Sequence, residues 1–449
     1  MIKNLVKSFR AITYNTKLFK SPGEFLALPY DIIDKKLQNE FYKRSKYNVV
    51  RLILGKEYKN DDENNNKYTR ARKYLEQWLE KGILVQDEKP AIYVYQQNYV
   101  HPFTGEHKMI RGFIARVLLQ EYEKRVILPH EDVLSKPLQD RFNLTVATNT
   151  QFEPIYGLYH DRKNVIDNIL DEVVNRNEPL IDYKEAENLI HKLWKIEDQK
   201  YIEIIEKEFY NKLIYIADGH HRYQTMLKYR DYYRKKKGFP NYVFHPVDFI
   251  MMFLVNVDHQ GITILPTHRL LYNLKEMKLK SLLKYVQKYF QVEIYSFNRS
   301  NEKEVRERWL SDLRKFHNDV HTFGVYIKNL NHYFLLKLTN VDAYIKFNGV
   351  KNSEDWKKLD VNIIHTLLID HILHIHKKDI SNQIYIDYTK DHNKAIEGVK
   401  RGKYQVALII NPTKVREVIK IANNGEKMPQ KSTYFYPKIL SGMTIYKMN

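Results

Sequence analysis

A chain of 449 residues exceeds what one compact core accommodates, so two or three domains are expected. Cysteine is absent, which excludes disulfides, thiolate zinc sites, iron–sulfur clusters and cysteine nucleophiles together and leaves oxygen and histidine as metal ligands. A formal charge of +20, from 74 Lys plus Arg against 54 Asp plus Glu, favours anionic partners such as phosphates, nucleotides or nucleic acid.

The amino-terminal segment Met1-Ile2-Lys3-Asn4-Leu5-Val6-Lys7 lacks the apolar stretch and cleavage site of a secretory signal, so a cytoplasmic location is expected. Tyr47-Asn48-Val49-Val50-Arg51-Leu52-Ile53-Leu54 reads as a strand, and the polar run from Asn60 to Asn66 as a surface loop. Tyr68, Ala71, Tyr74, Leu75, Trp78 and Leu79 recur at helical spacing, with Gly82 placed to end that helix. Residues 91–96 and 112–119 look like two strands of one sheet, joined around Pro102 and Gly105. A polar loop then carries Pro129-His130-Glu131, Lys136-Pro137 and Asp140-Arg141. Two amphipathic helices follow, striped by Val165, Ile166, Ile169, Leu170, Val173 and Val174, and by Ile202, Ile205 and Phe209. The longest apolar run, residues 249–255, is far short of the roughly 20 residues a membrane helix requires, and reads as a buried strand. This order of elements predicts an α/β (α+β) fold with mixed sheets. The expected regions are residues 1–120, an amino-terminal α/β region; 121–240, the core; and 241–449, a carboxy-terminal α/β region.

The sharpest signal is the passage from the apolar strand Leu213-Ile214-Tyr215-Ile216-Ala217 into Asp218-Gly219-His220-His221-Arg222, with a helix beginning at Tyr223. A strand–turn–helix junction leaves the first helical N–H groups unpaired and aims the positive end of the helix dipole forward, which suits a phosphate. Gly219 allows close approach of backbone to ligand, and Asp218 offers a carboxylate for a metal ion or a proton. His220, His221 and Arg222 add hydrogen-bonding or cationic side chains. The plain alternative is an Asp218 N-cap followed by a turn glycine and surface histidines.

Pro129-His130-Glu131 with Asp140-Arg141 combines groups able to act as a general base and a phosphate clamp, or simply forms a solvated charged loop. In the tail 428–438, Lys431, Ser432 and Thr433 could bind an anion, although a docked terminal strand explains the segment as well. His365, His371, His374 and His376 lie in or near an apolar helix at 361–375, but no Glu completes a His-Glu-x-x-His zinc pattern there. Arg234-Lys235-Lys236-Lys237 is the only compact basic run, which describes a generally basic surface better than a dedicated nucleic-acid groove.

Several landmarks recur in order: Phe9-Arg10-Ala11, Pro29-Tyr30-Asp31-Ile32-Ile33, residues 47–52, Tyr93-Val94-Tyr95-Gln96, Pro129-His130-Glu131, Asp140-Arg141, residues 215–222 and the tail 428–438. In these the sequence resembles the domain-of-unknown-function 1015 family of bacteria and archaea, almost end to end. Leu28 stands where that family usually has a first proline before Pro29. The Asp-Gly-His-His-Arg turn is also similar to that of the ParB/sulfiredoxin-like superfamily, and particularly of its free serine kinases. That likeness implies a ParB/sulfiredoxin-like core, with Asp218 as a metal- or hydroxyl-directed carboxylate and Gly219, His220, His221, Arg222 and Arg141 around nucleotide phosphates. It further implies Glu131, beside His130, as catalytic base. The activity implied is ATP- or ADP-dependent, Mg²⁺-assisted phosphoryl transfer to a small hydroxylated metabolite such as free L-serine. The alternatives are a ParB-like nucleotide-responsive nucleic-acid-binding protein and a non-catalytic metabolite sensor; no helix-turn-helix with a basic recognition face is evident.

Overall fold

The computed structural model describes residues 5–131, 133, 135–240, 243–275, 282, 285–317, 319–347, 351–376 and 384–448. The first four residues of the segment read for an export signal lie outside them. The fold is the expected α/β class with mixed sheets, in two compact units. One comprises Met1–Pro129, Val133–Thr263 and Phe435–Asn449; the other comprises His130–Asp132 and Ile264–Tyr434. The expected limits after residues 120 and 240 both fall inside the first unit, because strand His107–Leu118 pairs with the distant strand Phe249–Asn256.

The first unit is built on a nine-stranded sheet. From one edge its strands are Ile127–Leu128, Ile214–Asp218, Ile155–Tyr159, Phe249–Asn256, His107–Leu118, Ile92–Val100, Leu189–Ile196 and Ile181–Ala186, with Val6–Lys7 added against His107–Leu118. The first pair is parallel, as is Ile155–Tyr159 with Phe249–Asn256; the remaining pairs are antiparallel. Every residue of Phe249–Asn256 is buried. A strand covered on both faces carries a continuous apolar run rather than alternation. The hairpin expected around Pro102 and Gly105 is present, with Tyr95 opposite Gly112. Helices Lys67–Glu80, Val165–Arg176 and Gln199–Glu208 sit where the apolar stripes place them, and Gly82 takes a positive φ of 64° just past the first.

Two local expectations are corrected. Residues 47–54 do not form a strand: Val50–Ile53 is a short helix. Asn48 accounts for it, since its Oδ1 accepts the Val50 N–H (3.0 Å) while its Nδ2 donates to the carbonyls of Glu24 and Leu26, each 2.9 Å away. A side chain that captures a nearby N–H offers the backbone an alternative to a strand ladder. The polar stretch after Pro129 is not loop throughout either, because Ser135–Thr148 is helical and carries Asp140 and Arg141. Pro137 falls in its first turn, where a missing N–H breaks no helical bond.

The second unit is an antiparallel six-stranded sheet in the order Phe290–Ser296, His332–Leu338, Thr322–Ile327, Val406–Ile410, His268–Leu271, Ile386–Thr389. Helices Glu302–Phe316 and His392–Lys400 bury their apolar stripes in its core. Trp309 is fully buried, stacks on Tyr333 with centroids 4.6 Å apart, and donates its indole N–H to the Phe334 carbonyl at 3.1 Å. The expected helix at 361–375 begins as Asp360–Ile363 and continues as a wider π-type helix, Ile364–Ile372. Among the described residues no helix is long and apolar enough to cross a membrane.

Candidate functional site

Strand Ile214–Asp218 is buried through Ala217, and helix His220–Lys237 starts two residues later. Gly219 makes so abrupt a junction possible. Its φ is +101°, and a Cβ there would stand 2.3 Å from the Ile155 Cγ2, so neither the backbone conformation nor the space admits a side chain. No side chain caps this helix start, which leaves the dipole's positive end for other charge. At the far end, Arg234, Lys235, Lys236 and Lys237 all fall in the last turn, where cations complement the dipole. Arg234 is further tied to Asp248, Pro240 and Val243. The basic run is thus explained by the helix it ends.

Charge is concentrated at the turn. Asp218 accepts from the Lys438 ammonium at 2.6 Å through Oδ1 and from the Arg222 guanidinium at 3.1 Å through Oδ2. Burial pushes the Asp218 carboxyl up, but Lys438, Arg222 and His220 outweigh it and hold the group down at about 2. It is therefore an anion at any physiological pH. Arg222 also donates to the Pro154 carbonyl at 2.6 Å. Burial opposes its charge, and Glu153, Asp218 and Asp31 restore it. Glu153 in turn accepts the Tyr30 N–H at 3.0 Å and the Ser441 hydroxyl at 2.8 Å.

Arg222 lines a narrow cleft of about 50 Å³ with Arg141, Glu153, Gln151, Thr145 and Met226. Arg141 is held there by the Ile53 carbonyl (2.7 Å), by the Asp140 carboxylate and by the face of Tyr30, 4.0 Å below its guanidinium. Burial would raise the Asp140 carboxyl, yet Arg141 and Lys67 hold it at about 2, and it also accepts the Tyr68 hydroxyl at 2.8 Å. Arg222 additionally lines a much smaller pocket of about 10 Å³ with Asp218, Tyr156, Lys438, Pro29 and Pro437.

The predicted residues thus separate into two groups. Asp218, Gly219, His220, His221 and Arg222 share the turn, with His220 buried and His221 partly exposed, and Arg141 shares the cleft with Arg222. His130 and Glu131 belong to the second unit. There Glu131 accepts the Lys431 N–H at 3.0 Å, the His130 carbonyl accepts the Met428 N–H at 2.7 Å, and the His130 Nε2 lies 2.9 Å from the Thr433 hydroxyl. The tail residues considered for an anion are engaged the same way: the buried Ser432 hydroxyl donates to Pro429 and Thr433 meets His130. His371 bonds Tyr289, His376 bonds Asp370, and the Arg269 Nε donates to His365 at 3.3 Å. Among the described residues no cluster of three His, Asp or Glu side chains forms a metal site. Because both Asp218 oxygens are taken by cations, the residues present do not fit a magnesium ion by themselves.

Sequence reasoning missed Glu153, Tyr156 and the part played by Lys438. Lys438 sat inside the tail already singled out, and a lysine behind Tyr436-Pro437 was the available signal. Glu153 and Tyr156 gave none, since a lone acid and a lone tyrosine beside a strand are commonplace.

No curated protein matches the sequence. Several solved structures are remotely similar. A free serine kinase in complex with AMP has 11% identity and a TM-score of 0.33, covering 69% of this chain and 83% of that one. A conserved hypothetical protein from Pyrococcus furiosus has 12% identity and a TM-score of 0.32, covering 70% and 89%. SbnI with a C-terminal truncation, from Staphylococcus aureus, has 10% identity and a TM-score of 0.34, covering 74% and 86%. The model of the family described as protein of unknown function, DUF1015, matches residues 6–362, most of the chain. The chain belongs to that family.

Proposed function

We propose that the chain is a nucleotide-dependent phosphotransferase acting on a small hydroxylated metabolite, with ATP or ADP as donor and free L-serine as the first acceptor to try. The observation that carries this reading is Arg222, which stands at an uncapped helix start and lines both a larger cleft and a smaller pocket. Phosphoryl transfer asks chiefly for positioning and charge neutralisation. The turn at Gly219 lets phosphate oxygens approach the first helical N–H groups, while Arg222, Arg141, His220 and His221 supply hydrogen bonds and positive charge.

Asp218, an anion held at about 2 between two cations, is too weak a base to take a hydroxyl proton. In this reading it fixes Lys438 and Arg222 and accepts a hydrogen bond from the acceptor hydroxyl. The assignment of the base to Glu131 rests on the ParB/sulfiredoxin-like resemblance alone. Magnesium would enter on the nucleotide phosphates, as it commonly does with few protein ligands.

The test is incubation of the full chain with ATP or ADP, magnesium and a pool of small hydroxylated metabolites, followed by mass spectrometry. The reading expects a singly phosphorylated metabolite that accumulates with enzyme and donor. Unchanged pools with both donors, alongside tight DNA binding that collapses as salt is raised, would replace it with the nucleic-acid alternative.

A further inference from the structure

The last turns of helix His220–Lys237 and the loop that follows hold apolar side chains out in solvent. Tyr232 and Phe239 are exposed, and Val243 and Phe244 stand 45% and 59% exposed. Exposed apolar residues scattered singly need no explanation, but several within one short stretch mark a contact surface. This loop is tied down. The Arg234 guanidinium donates to the carbonyls of Pro240 and Val243, at 2.9 Å each, and to the Asp248 carboxylate, while the Val243 N–H reaches the Pro240 carbonyl at 3.3 Å. The Phe239 ring packs on Tyr233 and His245. The loop thus presents Val243 and Phe244 from a fixed backbone, which lowers the cost of ordering them against a partner.

Charge identifies the partner. Lys235, Lys236 and Lys237 are all exposed beside these side chains. The acids nearby are already matched, Asp248 with Arg234 and Asp231 with Arg230. Lys236 reaches the Tyr232 hydroxyl at 3.3 Å, a contact that leaves its charge in place. The helix dipole offsets roughly half a charge, so the lysines keep a clear positive excess. The dipole accounts for cations in this turn, but not for the apolar groups next to them. Lysines beside exposed rings and methyls fit a bilayer with anionic headgroups, which attracts the ammonium groups and accepts the apolar ones at the headgroup–acyl boundary. A second copy of the chain fits poorly, because a symmetric contact sets the lysines against their own counterparts. Nucleic acid fits less well too. Arg230 and Arg234, whose planar forks suit phosphate, are committed to carboxylates, and Val243 has no ring to stack on a base.

We propose that this patch docks the protein on anionic lipid bilayers, with Lys235, Lys236 and Lys237 over the headgroups and Val243 and Phe244 inserted at the acyl boundary. The inference is independent of the phosphotransferase reading. The turn at Gly219 lies at the other end of the same 18-residue helix, about 27 Å away along its axis, so docking leaves that turn clear of the membrane surface.

Vesicle flotation of the full chain tests it, comparing phosphatidylcholine vesicles with vesicles of equal parts phosphatidylcholine and phosphatidylglycerol. Binding to the mixed vesicles is expected to be about tenfold tighter or more. Each lysine at an anionic surface contributes about fivefold, so Lys235→Gln, Lys236→Gln and Lys237→Gln combined should weaken binding roughly a hundredfold. Val243→Ser with Phe244→Ser should weaken it about tenfold or more. Lys35→Gln, Lys36→Gln and Lys43→Gln combined remove the same charge from exposed positions on helix Lys35–Arg44 and should bind within about twofold of the parent. Every side chain changed is exposed, so all three variants should melt with the parent. No binding, or equal binding to both vesicle types, would overturn the proposal. So would an equal loss in the Lys35, Lys36 and Lys43 variant, which would reduce the effect to net charge, or a clear drop in melting temperature for the Val243 and Phe244 variant, which would make those side chains structural. Salt-sensitive DNA binding or a concentration-dependent dimer, lost in the patch variants while vesicles stay unbound, would assign the patch to that partner instead.

Discussion

Asp218 and Gly219 show how two adjacent residues divide the work of the turn, and each makes a separate prediction. The Asp218 carboxyl lies at about 2 in the folded chain against an ordinary 3.8. The native state therefore binds fewer protons than the unfolded one between those values, so the stabilisation is complete above pH 4 and is lost as pH falls toward 2. The shift corresponds to about 2 kcal/mol. Asp218→Asn should accordingly cost about that much in urea unfolding at pH 7 and little at pH 2; equal losses at both pH values would mean that the ion pairs do not set the carboxyl. Gly219→Ala acts through shape instead. A methyl group 2.3 Å from Ile155 at a φ of +101° should cost about 2 kcal/mol or more at every pH. A parent-like midpoint for that variant would contradict the geometry of the junction.

At the scale of elements, periodicity located helices such as Lys67–Glu80 and Val165–Arg176, and it failed where one side chain redirected the backbone. Val49, Val50, Leu52 and Ile53 look like strand residues by composition, yet Asn48 starts a helix among them by taking the Val50 N–H and tethering two carbonyls. Nothing in a 3.6- or 2-residue period reports such a bond. Asn48 is fully buried, so Asn48→Ala would leave one donor and two acceptors to find other partners. A loss of about 2–4 kcal/mol is expected in chemical denaturation, and a change below about 0.5 kcal/mol, typical of exposed surface sites, would show the Asn48 side-chain bonds to be dispensable. The basic run at 234–237 illustrates the opposite case. It was legible as a surface feature, and the fold supplies its reason, since those four residues end a helix and Arg234 ties that end to Asp248.

Across the whole molecule, the α/β class and the turn at residues 218–222 were legible because both are written in local order. The grouping into units was not, because it depends on pairings such as that of His107–Leu118 with Phe249–Asn256, which no local pattern encodes. The same holds for the site. Pro29 and Tyr30, Arg141, Glu153, Arg222 and Lys438 are scattered along the chain and meet only through the sheet of the first unit. The central claim, that nucleotide phosphates bind at Arg222, is tested most directly by titrating ADP into the parent chain and into Arg222→Lys at one fixed salt concentration. The variant keeps a cation beside Asp218 and Glu153 but loses the planar fork that grips two phosphate oxygens. The account predicts measurable ADP binding by the parent and a tenfold or greater loss in Arg222→Lys, on the order of 1.4 kcal/mol or more. Parent and variant binding ADP equally well, or neither binding it, would contradict the claim.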